Sequence, residues 1–298
     1  MFKRILMFFA INLLVVLSIS FFLSLFHVRP YLTAYGINYT SLLIFCLVWG
    51  MGGAFISLSL SRIMAKWLMG VRIIDTKTAT PNAKHLLDMV ERLSKQAGLS
   101  HIPQVGIYTS CEVNAFATGP TQKRSLVAVS SGLLEHMNEA QLEGVLAHEI
   151  AHIANGDMVT MTLLQGVVNA FVMFLARILA FAFSGLGKSK EGSSGSYLSY
   201  GILVFVFEIL FMILGLLVIA GFSRWREYRA DAGGALWAGK EKMVAALEQL
   251  RHCQRMRDPK HQIASFEAMK ISASQGSWIQ LFATHPSLDK RIGRLLTR

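Results

Sequence analysis

The 298-residue sequence predicts a mainly α membrane protein in which four transmembrane helices carry a soluble α+β part. Three observations lead there. The chain is 53% hydrophobic and only 16% charged, with a mean hydropathy of +0.45, well above an ordinary soluble domain. Four apolar runs are each long enough to cross a hydrocarbon layer of about 30 Å at about 1.5 Å per helical residue. Between the second and third runs, and after the fourth, polar segments with helix and strand periodicity supply a soluble fold.

The first run, 5–26, "ILMFFAINLLVVLSISFFLSLF", carries no charge. It is too long for a cleaved leader and no small-x-small cleavage site follows, so it reads as an uncleaved anchor. The second lies between Arg29 and Arg62, with its dense core at 41–60; the third and fourth, 158–183 and 198–223, are interrupted only by Arg177 and Glu208. A Gly/Ser-rich stretch, "SGLGKSKEGSSGSY", joins them. A lone charge inside a span is costly, so Arg177 and Glu208 either pair with each other or separately reach the interface or other protein. The formal charge of +11 comes largely from Lys and Arg beside these runs. Lys3, Arg4, Arg62, Lys66, Arg72, Arg224 and Arg226 put the flanks in the cytoplasm, and no nucleic-acid partner is expected. Cys46, Cys111 and Cys253 have no CxxC spacing and read as reduced.

In the soluble part, 81–98 has helical periodicity with Gly98 placed to end it. "QVGIYTS" and "SLVAVSS" read as strands, with "VNAFATG" (113–119) between them. Asn138 followed by Gln141 is a capping-box pattern that opens a helix through "LAHEIAHIANGD", 146–157. "REYRADAGGALWAG" and "KEKMVAALEQLRHCQ" read as helices, and "HPSLDKRIGRLLTR" as a closing helix with Pro286 in its first turn.

On a helix, His148 and His152 face the same side one turn apart, so both imidazoles reach one ion at Zn–N distances of about 2.0–2.1 Å. Glu149 stands beside them, placed to take a proton from a bound water; this is the HExxH arrangement of metalloproteases. A catalytic zinc takes a third protein ligand, and the following "NGDMVTM" offers no histidine. Glu227 is the candidate carboxylate, and Asp231, four residues on, can accept a ligand histidine's N–H. The alternative for both acids is pairing with Arg224, Arg226 or Arg229 on a solvated face. His152 precedes the third run and Glu227 follows the fourth, so a hairpin crossing twice returns both to one membrane face.

With "VNAFATG", "HEIAH", "REYRAD" and "THPSLDKRI" in order, the chain resembles the HtpX family of bacterial membrane zinc proteases, relatives of the CAAX prenyl proteases. The resemblance implies one zinc per chain held by His148, His152 and Glu227, with Glu149 as base, in a zincin-like (gluzincin) domain on the cytoplasmic side of the bacterial inner membrane. It implies hydrolysis of misfolded or damaged membrane proteins in quality control and stress response, with the bilayer and unfolded polypeptides as partners. It further implies that Asn114, His285 and Arg291 lie at the active site. From the residues alone, Asn114 equally shapes a turn, His285 caps a helix, and Arg291 pairs with Asp289 or the chain end.

The expected organisation is two N-terminal spans (1–62), a first protease segment (63–157), a transmembrane hairpin (158–223) and a second protease segment (224–298). Three other readings compete: a channel lined by Arg177 and Glu208, a zinc-stabilised scaffold without turnover, and a dedicated prenyl-peptide processor.

Overall fold

A computed structural model describes residues 32–33, 36–186, 195–256 and 282–297; the expected first span, 5–26, lies outside them. A two-residue ladder of β1 (Leu32–Thr33) and β2 (Gly36–Ile37) precedes α1 (Tyr39–Leu68). Among the described residues three helices are long and apolar enough to cross a membrane: Tyr39–Leu68, Asp157–Ser184 and Tyr200–Ala238. The chain divides into two units, each with its own core.

The first unit takes residues up to Ser57, Met161–Gly221 and Phe282–Thr284, and its described part is dominated by three apolar helices. They are α1, α5 (Asp157–Leu186) and α6 (Gly195–Ala238). Leu42, Phe45 and Cys46 of α1 pack on Val172, Met173 and Met212. Small residues let α1 and α5 touch: a Cβ added at Gly50 would stand 2.8 Å from Ala170 Cβ. Large apolar side chains such as Ile44, Phe171 and Ile202 point outward, as lipid-facing helices require. Of the two readings for the charges inside the spans, pairing is the one observed: Arg177 Nη1 donates to Glu208 Oε1 at 2.8 Å with both side chains buried.

The second unit, Leu58–Thr160, Phe222–Leu281 and His285–Arg298, holds the sheet, the remaining helices and the ends of α1, α5 and α6 that fall in those ranges. Its strands are β3 (Arg72–Ile73), β4 (Gln104–Tyr108), β5 (Ala115–Thr118) and β6 (Leu126–Ser130), in the order β3-β4-β6-β5. β4 and β6 run parallel, in register from Gln104↔Leu126 to Tyr108↔Ser130, while β3 and β5 flank them antiparallel. Successive side chains point to opposite faces. Val127 and Val129 therefore enter the main core, while Leu126 and Ala128 meet Tyr108, Val71 and Ala65 on the other side. β6 is thus buried on both faces, which suits its uninterrupted apolar run. β3 and β5 are the two edge strands, each paired on one side only among the described residues.

Around the sheet stand α2 (Pro81–Gln96), α3 (Ser131–His136), α4 (Glu139–Ala154), α7 (Lys240–Met256) and α8 (Leu288–Leu296). α2 ends near Gly98, whose φ of +68° favours glycine. α4 opens on the expected capping box, with Asn138 accepting from Gln141 N and Gln141 returning to Asn138 N. It is buried along most of its length, with Leu146, Ile150 and Ile153 fully enclosed.

Two sequence expectations need correcting. The segment after the fourth run is not a separate helix: α6 runs on through it to Ala238, 44 residues in all, about 66 Å, because nothing after Arg224 breaks the backbone pattern. α8 begins at Leu288 with Ser287 as its cap, so Pro286 lies before the cap rather than in the first turn. Ser287 Oγ accepts from Lys290 N and takes the capping role.

Candidate metal centre

α4 is locked at its N-terminus by the capping box and by core packing along its length, which fixes the direction of its polar face. His148 and His152, one turn apart, present their Nε2 atoms to each other at 3.1 Å. Each ring gives its other nitrogen to a carboxylate: His148 Nδ1 lies 3.0 Å from Asp231 Oδ1, and His152 Nδ1 2.7 Å from Asp157 Oδ2. With each Nδ1 turned to a carboxylate, the two Nε2 atoms are the ring nitrogens left to ligate a cation; Arg291 Nη2 lies 3.4 Å from His148 Nε2.

α6 brings the third group. Glu227 approaches His152 Nε2 with Oε1 at 3.4 Å and His148 Nε2 with Oε2 at 3.6 Å. A tetrahedral shell with bonds of about 2.0–2.1 Å has edges of about 3.3 Å, and the three donor separations bracket that figure. Glu227 is 1% exposed, and among the described residues its Oε1 has no hydrogen-bond partner, with Arg226 Nη2 standing off at 3.7 Å. A buried, unsatisfied carboxylate oxygen is costly, so the cradle fits a metal ion. The approach of α6 depends on Gly233 and Gly234, because a Cβ at Gly234 would meet Met243 Sδ at 2.9 Å and His148 N at 3.2 Å.

A second layer surrounds these groups. Arg291 of α8 grips Asp231 with two donors, Nε to Oδ2 at 2.8 Å and Nη2 to Oδ1 at 2.6 Å, and its Nη1 lies 3.4 Å from Glu227 Oε2. Arg229 Nη2 donates to Asp157 Oδ1 at 2.7 Å. Burial and the Arg291 charge push the His148 imidazole toward neutrality, but hydrogen bonds to Asp231 and Glu227 outweigh them and raise its pKa to about 9.

Residues 81–298 match peptidase family M48. The chain belongs to peptidase family M48. It is 50% identical over 301 residues to the Protease HtpX homolog of Bacillus subtilis (strain 168), covering 98% of each chain. It is 44% identical over 297 residues to the Protease HtpX homolog of Methylacidiphilum infernorum (isolate V4), covering 99% of this chain and 98% of that one. Among solved structures it resembles S. mikatae Ste24p with a TM-score of 0.59 at 17% identity, a likeness of fold alone. That match covers 85% of this chain and spans 57% of the Ste24p chain. The protein is therefore a membrane-associated M48 metallopeptidase, as the HtpX resemblance implies.

Within this M48 fold the motif residues separate into groups. His148, His152, Glu227, Asp231, Arg291 and His285 meet at one point; His285, about two-fifths exposed, sets Nδ1 2.8 Å from Glu227 Oε2. Arg291 pairs with Asp231 and not with Asp289, which Arg251 holds at 2.8 Å. Glu149 is half-buried and makes no hydrogen bond or ion pair among the described residues. Asn114 turns elsewhere, its Nδ2 donating to Tyr108 Oη at 3.1 Å while its backbone N–H is held by Ser130 Oγ. Asp157 was missed by sequence reasoning. Its only signal is a glycine directly before it: Gly156, at φ +67°, ends α4 and turns the chain so that Asp157 points back at His152.

Proposed function

We propose that the protein is a zinc endopeptidase of gluzincin type that hydrolyses misfolded or damaged membrane proteins at the cytoplasmic face of the bacterial inner membrane. Its protease domain would comprise residues 63–157 and 224–298, joined by the hairpin 158–223 and anchored by two further spans, four in all. The observation that carries this reading is the convergence of His148, His152 and Glu227 at near-tetrahedral spacing beside Glu149.

His148, His152 and Glu227 would hold one zinc, with Asp231 keeping the His148 ring oriented. When bound, zinc supplies a Lewis acid that makes water nucleophilic near neutral pH and polarises the scissile carbonyl. Glu149 accepts the proton of the attacking water and delivers it to the leaving amine. His285, with Nδ1 turned to Glu227, has Nε2 for the developing oxyanion. Arg291 acts through Asp231 and Glu227, and Asn114 through the start of β5. The substrate backbone lies extended along the unpaired side of β5, whose Ala115 and Ala117 pack with α4 in the same core. Main-chain pairing of this kind asks little of side chains and suits varied, unfolded substrates.

The test is cleavage by the reconstituted protein of a membrane protein with an unstructured cytosolic loop, beside a prenylated C-terminal peptide. Loop cleavage lost in Glu149→Ala supports the proposal; cleavage confined to the prenylated peptide would replace it with the prenyl-processing reading.

A further inference from the structure

His152 owes its orientation to a pair of residues on neither of the helical faces that hold the metal-binding motif. Asp157 opens α5 directly after the Gly156 turn, is fully buried, and accepts from His152 Nδ1 at 2.7 Å. A buried carboxylate needs a cationic or hydrogen-bonding partner, and Arg229 provides it at 2.7 Å. Arg229 Nη2 also donates to the carbonyl of Asn155, the C-cap of α4, at 3.2 Å. Its guanidinium lies 4.9 Å over the Trp225 ring. Arg229 is thus held at three points and is two residues from Glu227 on the same helix. The other ring has the same arrangement, since Arg291 grips Asp231, which orients His148. Two Arg–Asp–His chains therefore converge on one centre.

We propose that Asp157 and Arg229 are positioning residues of the metal centre: Arg229 fixes the Asp157 carboxylate, and Asp157 fixes the tautomer and direction of His152. This rests on the reading of His152 as a ligand. It makes α6 responsible for both rings, through Glu227 as a direct contact and through Arg229 by way of Asp157. An ion pair that merely joined α5 to α6 would leave metal binding alone, whereas partners of ligand imidazoles change metal affinity by about 10–100-fold when removed.

The full chain, stripped with chelator in detergent, tests this. Zinc affinity is measured by competition with a chromophoric chelator and ligand geometry by the visible absorption of bound cobalt, with the thermal midpoint of the metal-free protein as a fold control. Asp157→Asn is expected to bind zinc about 10–100-fold more weakly with an altered cobalt band. Arg229→Gln should follow in the same direction, and Arg229→Lys should restore much of the loss. Should Asp157→Asn not fold, the Arg229 pair carries the comparison. Wild-type zinc affinity and an unchanged cobalt band in both Asp157→Asn and Arg229→Gln would overturn the inference while leaving the ligand set intact. A wild-type protein that binds no zinc would instead remove the ligand set itself.

Discussion

Gly234 of α6 lies against the backbone of His148 so closely that an added Cβ would stand 3.2 Å from the His148 nitrogen. The contact sets how near Glu227 comes to the imidazoles, because Glu227 and Gly234 are two turns apart on one helix. Gly234→Leu should push α6 off α4, costing about 1–3 kcal/mol and weakening zinc binding. Gly234→Ala should do less, since Met243 Sδ at 2.9 Å is the end of a flexible side chain. Thermal midpoints with and without zinc read both effects.

Arg291 is buried against two carboxylates, and burial, which disfavours its charge, is outweighed by Asp231, Glu227 and Glu149, so that its pKa stays above the usual arginine value. Arg291→Met leaves Asp231 and Glu227 without that counter-charge and should destabilise the metal-free protein by about 3–5 kcal/mol. Asp289→Ala, which breaks only the contact with the partly exposed Arg251, should change stability by less than about 1 kcal/mol. Chemical denaturation of the two variants side by side separates the alternatives that the sequence leaves open for Arg291.

Glu143 joins three helices of the second unit, meeting Arg92 of α2 at 2.9 Å and Lys242 of α7 at 2.8 Å. Burial pushes its carboxyl pKa up, but hydrogen bonds from Arg92 and Lys242 outweigh this and hold it below the usual 4.5. A folded pKa below the unfolded one gives stability that is fully present above the unfolded pKa and lost as pH falls through the folded value. Stability should therefore decline below about pH 4.5, and Glu143→Gln should flatten that decline. Melting curves of wild type and variant from pH 6 downward give the comparison.

Arg177 and Glu208 form a buried pair within the apolar helices of the first unit. Removing either partner takes the counter-charge from a buried ionised group, at a cost of about 3–5 kcal/mol. Arg177→Met and Glu208→Gln should each lower the yield and thermal midpoint of purified protein. The double variant Arg177→Met/Glu208→Met should recover most of the loss, and equal additive losses would mean that the two side chains act separately.

Much of this arrangement is legible in the residues, and the illegible parts share a cause. His148, Glu149 and His152 fall within one helical turn and a capping box precedes them, so periodicity alone orients them. Glu227 follows from counting ligands, and Asp231 from its four-residue spacing. Asp157 is five residues from His152, beyond α4, and reaches it only because Gly156 reverses the chain; helical spacing carries no trace of that contact. Arg229 can be read from sequence only as a solvated arginine, because its partner arrives through the fold. The charges after residue 223 mark where apolar character ends, yet a helix does not have to stop there, and α6 continues. Ser287 rather than Pro286 sets the start of α8 because a side-chain oxygen at the cap satisfies a free N–H.

The measurement that bears most directly on the central claim compares wild type with Glu149→Gln, both purified in detergent with chelator, reloaded with zinc and given an unfolded polypeptide. Both should bind one zinc, because Glu149 is not among the three groups proposed as ligands, and only the wild type should cleave, in a zinc-dependent way. Cleavage by Glu149→Gln at the wild-type rate, or by wild type without zinc, would contradict the account.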